Sequence, residues 1–562
     1  MEKYIYSFNE IINDKIDPAE ILGNKGSGLN LMTNLGLPVP QGFTISTRVN
    51  HYYQKNNSLP EDFKKELDKN IINLEELSNS RLGSSKNPLL LSVRSGSQKS
   101  MPGMLDTILN IGFNKEVLIY FVDQDKALFA WDTWRRFLHM FSHVVFKIEH
   151  FYFDEILDSY LLGAGLQFEK DLEVNDLQEI CNQYLQLIED RIGKPFPENA
   201  NEQLNLSIKA VMESWFNERA IDFRKINEIS DDFGTAVSIQ RMVFGNLDDK
   251  SATGVVFSRN PKNGKKRLKG EYIIRSQGED IVSGFKTPWV ISNVDKEESP
   301  STIFSLEEKF PNCYKDLENY SKKLENYFSC VQDIEFTIES DTLWILQSRK
   351  AESNIEALLV ISCDMVKEGL ISKEEAILSL NIEKIEKLLS PIIDPKYENE
   401  ILAKGLPASV GVVSGVIVFD YEALIEYSNR DSKTILVLKE TSPNDIKGMH
   451  ASSAILTTQG GMTSHAAVVA RGLGKTCVTG ARDIKIDINN KRFHCGGNFL
   501  TEGDIITING ENGDIFVGES PTIIPDLSES LKEIIGWCKK INPSKVGDII
   551  DFINDTQKLI KK

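Results

Sequence analysis

The sequence predicts a multidomain protein mixing α/β and α+β units, and three observations carry that expectation. Asp333-Ile334-Glu335-Phe336-Thr337-Ile338 and Leu343-Trp344-Ile345-Leu346-Gln347-Ser348-Arg349 both alternate at period two around a polar turn, which reads as a β-hairpin. Residues 115–230 read instead as helix, with aromatic-rich amphipathic runs such as Phe129–Phe137. Ala454-Ile455-Leu456 reads as a short buried strand leading through a Gly-Gly turn into a small, apolar helical run, a strand-loop-helix junction. At 562 residues the chain exceeds a single core, and about three or four domains are expected.

In chain order, residues 1–110 mix short strands with Gly- and Pro-rich turns such as Gly36-Leu37-Pro38-Val39-Pro40. The helical stretch follows. Strands return from about 234 to 350, where Val237–Gln240 and Tyr272–Ile274 suit sheet positions. Residues 352–395 are helical and charged, with Pro391 and Pro395 near the end, which suits a connector. Short strands and Gly-rich turns fill 400–518, and two amphipathic helical stretches occupy 520–562.

A net charge of −18 argues against nucleic acid or an anionic membrane as partner. Anionic substrates must then be held by local Arg, Lys and backbone N–H groups. Seven scattered cysteines without a CxxC pair give no zinc site or disulfide framework and fit a reducing cytosol. Met1-Glu2-Lys3-Tyr4 opens no apolar signal core and no run is long enough to span a bilayer, so a cytoplasmic location is expected.

The junction carries the chemistry. Thr457-Thr458-Gln459-Gly460-Gly461-Met462-Thr463-Ser464-His465-Ala466-Ala467-Val468-Val469-Ala470-Arg471-Gly472 places one histidine just after the Gly pair and at a helix start. First-turn N–H groups are unpaired there and the helix dipole favours an anion. A neutral imidazole so held can attack phosphorus, and the helix end helps hold the phosphoryl group. An isolated histidine is ordinarily a satisfied core residue; the Gly pair, Thr463, Ser464 and Arg471 turn the reading toward a phosphocarrier, His465.

Two further clusters suit a polyphosphate. Gly23-Asn24-Lys25-Gly26-Ser27-Gly28 opens a helical pattern, although surface turns commonly look the same; the stronger cluster is Leu91-Ser92-Val93-Arg94-Ser95-Gly96, which ends beside the flexible Ser100-Met101-Pro102-Gly103-Met104 loop. Arg94 alone would equally suit an edge-strand ion pair. On the hairpin, Asp333 and Glu335 share one strand face, and so do Gln347 and Arg349, a kit for Mg²⁺ and phosphate oxygens. A solvated face of an amphipathic hairpin is the plainer alternative.

Together these motifs resemble the phosphoenolpyruvate-utilising family of pyruvate, phosphate dikinase and phosphoenolpyruvate synthase. The His465 run resembles its phosphohistidine motif, and Gly23–Thr47, Leu90–Asn114, Ala236–Gly245, Thr253–Asn260, Gln277–Gly284 and Asp333–Arg349 resemble its ATP-grasp domain. Gly405–Gly411 and Leu438–Ile446 are similar to the rest of the phosphohistidine domain, with Val410 where proline is usual and Gln459 where arginine is usual. The resemblance implies an ATP-grasp nucleotide-binding domain at 1–350 with a helical insertion at about 115–230, a helical linker at 351–397 that acts as hinge, a swivelling phosphohistidine α/β domain at 398–518, and a helical tail at 519–562. It implies Lys25, Arg94, Arg136, Gly103 and Gln347 at the ATP phosphates, Arg349 at the transferred group, Asp333 and Glu335 on metal, and Thr463 as a regulatory phosphorylation position. For Thr463 a capping hydroxyl is the alternative. The Val93–Gly96 and Met101–Met104 form resembles the dikinase, which uses phosphate as second acceptor, rather than the synthase, which uses water.

The implied reaction is ATP-, Mg²⁺- and phosphate-dependent phosphorylation of His465 through a pyrophosphohistidine, giving AMP and pyrophosphate. The family's pyruvate-binding (β/α)₈ barrel takes about 250 residues, which the sequence after Gly518 does not supply. The expectation is therefore no barrel here and a separate barrel protein as partner. A phosphotransferase with another acceptor, or a non-catalytic homologue, stays open as an alternative.

Overall fold

The computed structural model describes residues 3–538 except 13–16, 167, 279, 281–287, 298–303, 381–391, 395, 397–399, 443–444 and 524–527. Two compact units divide the chain: Met1–Ser251 with Ile338–Ser340 and Trp344–Gln347, and Ala252–Thr337 with Asp341–Leu343 and Ser348–Lys562. The division falls at Ser251, inside the expected 1–350 block, because the strands from Ala252 onward build a sheet of their own.

In the first unit, strands β1 (Ile5–Ser7) and β2 (Gly42–Ile45) precede a small parallel pair, β3 (Arg81–Leu82) and β4 (Pro88–Leu89). With β5 (Leu91–Gly96), β6 (Thr107–Ile111) and β7 (Ala236–Arg241), β1 and β2 form an antiparallel sheet of order β1-β2-β7-β5-β6. Helices fill the interval from Lys115 to Ile226. Trp134, Phe137 and Phe141 recur at three- and four-residue spacing on Ala127–Phe146 and are buried with Val93 and Ile239 of the sheet. The helix Val174–Ile192 starts at a Glu173/Asp176 capping box and ends at Gly193 with φ 72°, so local chemistry sets both its ends.

From Ala252 the chain builds a sheet of β8 (Ala252–Phe257), β9 (Lys269–Ile274), β10 (Trp289–Val290), β11 (Gln332–Glu339) and β12 (Thr342–Lys350), ordered β10-β9-β8-β11-β12, most of it in the second unit. Arg259, fully buried, ties this sheet to two helices through Glu325 at 3.0 Å and Glu368 at 2.7 Å. The helices Ile355–Lys367 and Lys373–Leu378, through Leu359 and Ile377, and Leu380 just past the second, pack onto Ile534 and Trp537 of the helix Glu529–Cys538. Strand β13 (Ile392–Ile393) pairs antiparallel with a late strand, Thr522–Ile523. Of the expected linker, 381–391, 395 and 397, with Pro391 and Pro395, lie outside the described residues, as does the second tail helix in 539–562.

An eight-stranded sheet follows, built from β14 (Ile401–Lys404), β15 (Leu406–Ser409), β16 (Val412–Val418), β17 (Thr434–Leu438), β18 (Ala454–Thr457) and β19 (Thr476–Thr479), then, past a small three-stranded sheet of β20 (Lys485–Asp487), β21 (Arg492–Cys495) and β22 (Asn498–Thr501), β23 (Ile505–Asn509) and β24 (Asp514–Val517). Strands β16 to β19 run parallel, and helices cross between them. No helix among the described residues is long and apolar enough to cross a membrane.

Candidate functional site

The sequence places His465 where strand β18 gives way to a helix, and the fold puts it on the first residue of His465–Gly472. Ser464 is the N-cap; its Oγ accepts from the Ala467 N–H at 3.5 Å. Ala466, Ala467 and Ala470 face inward against Ile455 and Cys477, so small residues let the helix lie close on the sheet. Loops after the adjacent parallel strands β17 and β18 meet at their carboxyl ends. The Thr458 N–H donates to Leu438 O at 3.1 Å and the Gln459 N–H to Lys439 O at 2.8 Å. This brings Thr441 Oγ1 to 3.1 Å from His465 Nδ1, while Nε2 is buried with no hydrogen-bond partner among the described residues. Burial lowers the His465 pKa against the pull of Asp445 and so favours the neutral ring.

Arg471, in the last turn of that helix, reaches back with Nη1 to Ala408 O at 3.0 Å and Nη2 to Met462 O at 2.9 Å. It clamps the Gly-Gly loop. The loop is held from its other side by Glu271 on β9, which accepts from the Met462 N–H at 3.3 Å and the Thr463 hydroxyl at 3.1 Å. Gly460 takes φ 99°, and a Cβ on Gly461 would stand 2.6 Å from Glu271 Oε2. One glycine makes the turn and the other admits the carboxylate. Burial raises the Glu271 pKa, and its two loop hydrogen bonds work against that shift.

The hairpin strands behave as their alternation implies. Ile334, Phe336 and Ile338 are buried on one face of β11, while Asp333 and Glu335 occupy the other. Arg349 Nε donates to Asp333 Oδ2 at 2.8 Å, so the arginine and carboxylate meet across the pair. Burial opposes the Arg349 charge, but Asp333 and Glu335 more than offset it and raise its pKa. Burial raises the Asp333 pKa, Arg349 counters it, and Glu335 adds to it. Asp333 Oδ1 is buried with no hydrogen-bond partner among the described residues. No cluster of three or more His, Cys, Asp or Glu suited to a metal occurs among the described residues. Mg²⁺, which keeps several waters and takes one or two carboxylates, fits a site with a spare carboxylate oxygen beside a second acid. By strand alternation Gln347 shares the face of Arg349 on β12.

In the first unit, the Lys25 segment is already helical from Pro18, capped by Asp17, and breaks at Gly23 before continuing to Asn34. The expectation of a loop that opens a helix is thus corrected to a kink inside one, with Lys25 in the first turn after the break. That turn packs on the end of β5: Asn24 N–H donates to Ser97 O at 2.9 Å, and Lys25 Cβ lies 3.2 Å from where a Gly96 Cβ would be. Lys25 and the strand of Arg94 are therefore neighbours. Gly103 turns with φ 71° between Met101 and Met104, which are buried against Trp215 and Ala220. Arg136 pairs with Asp132 at 2.8 Å, while Arg135 is more deeply buried and bonds Asp132 and Glu169.

Sequence reasoning missed Glu271 and Thr441 as neighbours of the carrier loop. Thr441 lay in a quoted motif, Glu440-Thr441-Ser442-Pro443, without a role; Glu271 stands just before the Tyr272–Ile274 strand pattern and had no reading. Residues 443–444 of that motif and 279 and 281–284 of Gln277–Gly284 lie outside the described residues.

Residues 19–82, 59–309 and 289–369 match the family "Pyruvate phosphate dikinase, AMP/ATP-binding domain", and 430–513 match "PEP-utilising enzyme, mobile domain". The chain is 46% identical over 566 residues to "Pyruvate, phosphate dikinase" of Rickettsia prowazekii (strain Madrid E), covering 100% of this chain and 63% of that protein. It is 40% identical to the Clostridium symbiosum protein of the same name, again over 100% of this chain and 63% of the relative. Against "Pyruvate, phosphate dikinase 2" of Zea mays it is 40% identical over 94% of this chain and 59% of the relative. The chain thus spans about 63% of the length of the first relatives it matches. Those relatives carry the whole matched span and further length in one polypeptide, which overturns the expectation of a partner-dependent protein that passes its phosphoryl group to a separate barrel chain. A profile match over most of the chain, with these relatives, shows that the chain belongs to the pyruvate, phosphate dikinase family.

Proposed function

We propose that this chain carries the ATP-dependent phosphohistidine steps of a pyruvate, phosphate dikinase. ATP and phosphate convert His465 to phospho-His465, AMP and pyrophosphate are released, and pyruvate is the eventual acceptor. The observation that carries this reading is an imidazole at a helix start whose Nε2 is buried without a hydrogen-bond partner among the described residues. In this reading 1–350 is an ATP-grasp domain with a helical insertion at about 115–230, 351–397 a linker, 398–518 a swivelling carrier domain and 519–562 a tail.

The Nε2 lone pair forms a bond to the β-phosphorus of ATP, the bond from that phosphorus to the bridging oxygen breaks, and AMP leaves with the electron pair. A phosphate ion then attacks the γ-phosphorus of the pyrophosphohistidine. Pyrophosphate leaves, and the original β-phosphoryl group stays on His465. Lys25, Arg94, Arg136 and the Gly103 turn hold the ATP phosphates, with Gln347 beside them. Arg349 stabilises charge on the group being transferred. Asp333 and Glu335 would hold Mg²⁺, which when bound neutralises phosphate charge against the incoming nucleophile. Thr463 is a position at which modification would regulate the site, since its hydroxyl donates to Glu271.

Release of AMP and pyrophosphate tests the reading. With Mg²⁺ and ATP, one equivalent of AMP is expected per chain, and pyrophosphate only when phosphate is added. Orthophosphate in place of pyrophosphate, without any need for added phosphate, would replace the dikinase route by the synthase one. No AMP under either condition would reject the reading.

A further inference from the structure

The carrier ring has two nitrogens, and the structure distinguishes them. Nδ1 sits 3.1 Å from Thr441 Oγ1, whereas Nε2 is buried with no partner among the described residues. Two tautomers are available to a neutral imidazole. A proton on Nε2 would bury an unsatisfied N–H donor, a rare and unfavourable arrangement. A proton on Nδ1 is satisfied at once by the Thr441 oxygen and leaves only a lone pair on Nε2. The threonine in turn is set by the fold: it follows β17, whose loop is bonded to that of β18 through Lys439 O and the Gln459 N–H at 2.8 Å.

We propose that Thr441 is a positioning residue that accepts the Nδ1–H of His465, fixes the tautomer with its lone pair on Nε2, and so directs phosphoryl transfer to Nε2. This rests on the phosphocarrier reading above. When the Nε2–P bond forms and the bond to the leaving oxygen breaks, the proton stays on Nδ1. The ring becomes a cation, and donation to Thr441 Oγ1 stabilises that charge in the product more than in the neutral ring. A hydroxyl that strengthens its bond as charge develops assists the transfer step rather than binding of ATP.

The test has two readouts. In the unphosphorylated chain, ¹⁵N-imidazole spectra assigned by subtraction of His465→Ala are expected to show a protonated Nδ1 and an unprotonated Nε2. The same ring in Thr441→Val is expected to lose that fixed tautomer, and Thr441→Ser to keep it. After labelling with ATP and alkaline hydrolysis, the wild-type chain is expected to yield only the Nε2 isomer of phosphohistidine. Thr441→Val should label about tenfold more slowly, as loss of one hydrogen bond to a charged group implies, with KM for ATP unchanged and some Nδ1 isomer present; Thr441→Ser should restore both. A protonated Nε2 in the resting wild-type chain, or an Nδ1 isomer from it, would overturn the proposal while leaving the phosphocarrier reading intact. Absence of any label would reject the phosphocarrier reading, and the tautomer measured in the resting chain would still decide the assignment to Thr441.

Discussion

The hairpin face and the carrier loop handle buried polar groups in opposite ways. On the hairpin, Asp333 and Arg349 hold charge by pairing at 2.8 Å, with Glu335 adding to the field. At the carrier loop the functional group is a ring whose neutral form burial favours, with one nitrogen bonded to Thr441 and the other without a partner among the described residues. A face that must meet phosphate and cation keeps its charges ready, and compensated, before anything binds. A nucleophile has the reverse need, because a partner on its lone pair would have to be removed first.

Breaking the paired side gives the largest effect. Arg349→Ala removes the cation from Asp333 and from the transferred group, and phosphorylation of His465 is expected to fall about 10²–10³-fold, on the scale of losing one preorganised donor. Single-turnover labelling checks this, with circular dichroism to confirm the fold. An unchanged rate would place the charge that matters elsewhere.

On the carrier side, Gly461→Ala puts a Cβ 2.6 Å from Glu271 Oε2 and must displace that carboxylate from the loop. Loss of its two hydrogen bonds is expected to cost about 1–3 kcal/mol of local stability, read as faster hydrogen exchange at the Met462 amide. Thr463→Val removes only the hydroxyl bond at 3.1 Å and should cost about 1 kcal/mol by the same measurement. If Gly461→Ala left exchange unchanged, Glu271 would not be anchoring the loop.

The smallest effect is in the pH profile. Burial lowers the His465 pKa, so the fold favours the neutral ring. That stabilisation is present above the unfolded value of about 6.5 and is lost as pH falls below it. The acid limb of the labelling rate should therefore lie below about 6.5, and in Asp445→Asn it should move lower still, since Asp445 favours the charged ring. An acid limb at or above the ordinary imidazole value would mean the ring is not desolvated.

Sequence legibility followed the range of the interactions. The β11–β12 alternation and the His465 helix start depend on neighbours a few residues apart, and both stand in the structure where the pattern put them. The aromatic spacing of Ala127–Phe146 was readable for the same reason. The Asp17-Pro18 start of the first helix was also written in the sequence as cap and N1 proline, but the Gly-rich stretch after it drew the reading toward a loop. Glu271 was invisible because it reaches Met462 across 191 residues, and nothing in a strand of alternating residues announces such a contact. The boundary at Ser251 was hidden likewise: β8 lies beside β11 in the sheet, although some 75 residues of chain separate the two strands.

The central claim is that His465 is the phosphocarrier. Incubation with Mg²⁺, phosphate and ATP labelled at the β-position is expected to give one acid-labile, base-stable phosphoryl group per chain, mapped to the peptide that contains His465 and absent from His465→Ala. Label that persists in the folded His465→Ala chain, or that maps to another histidine, would contradict the account.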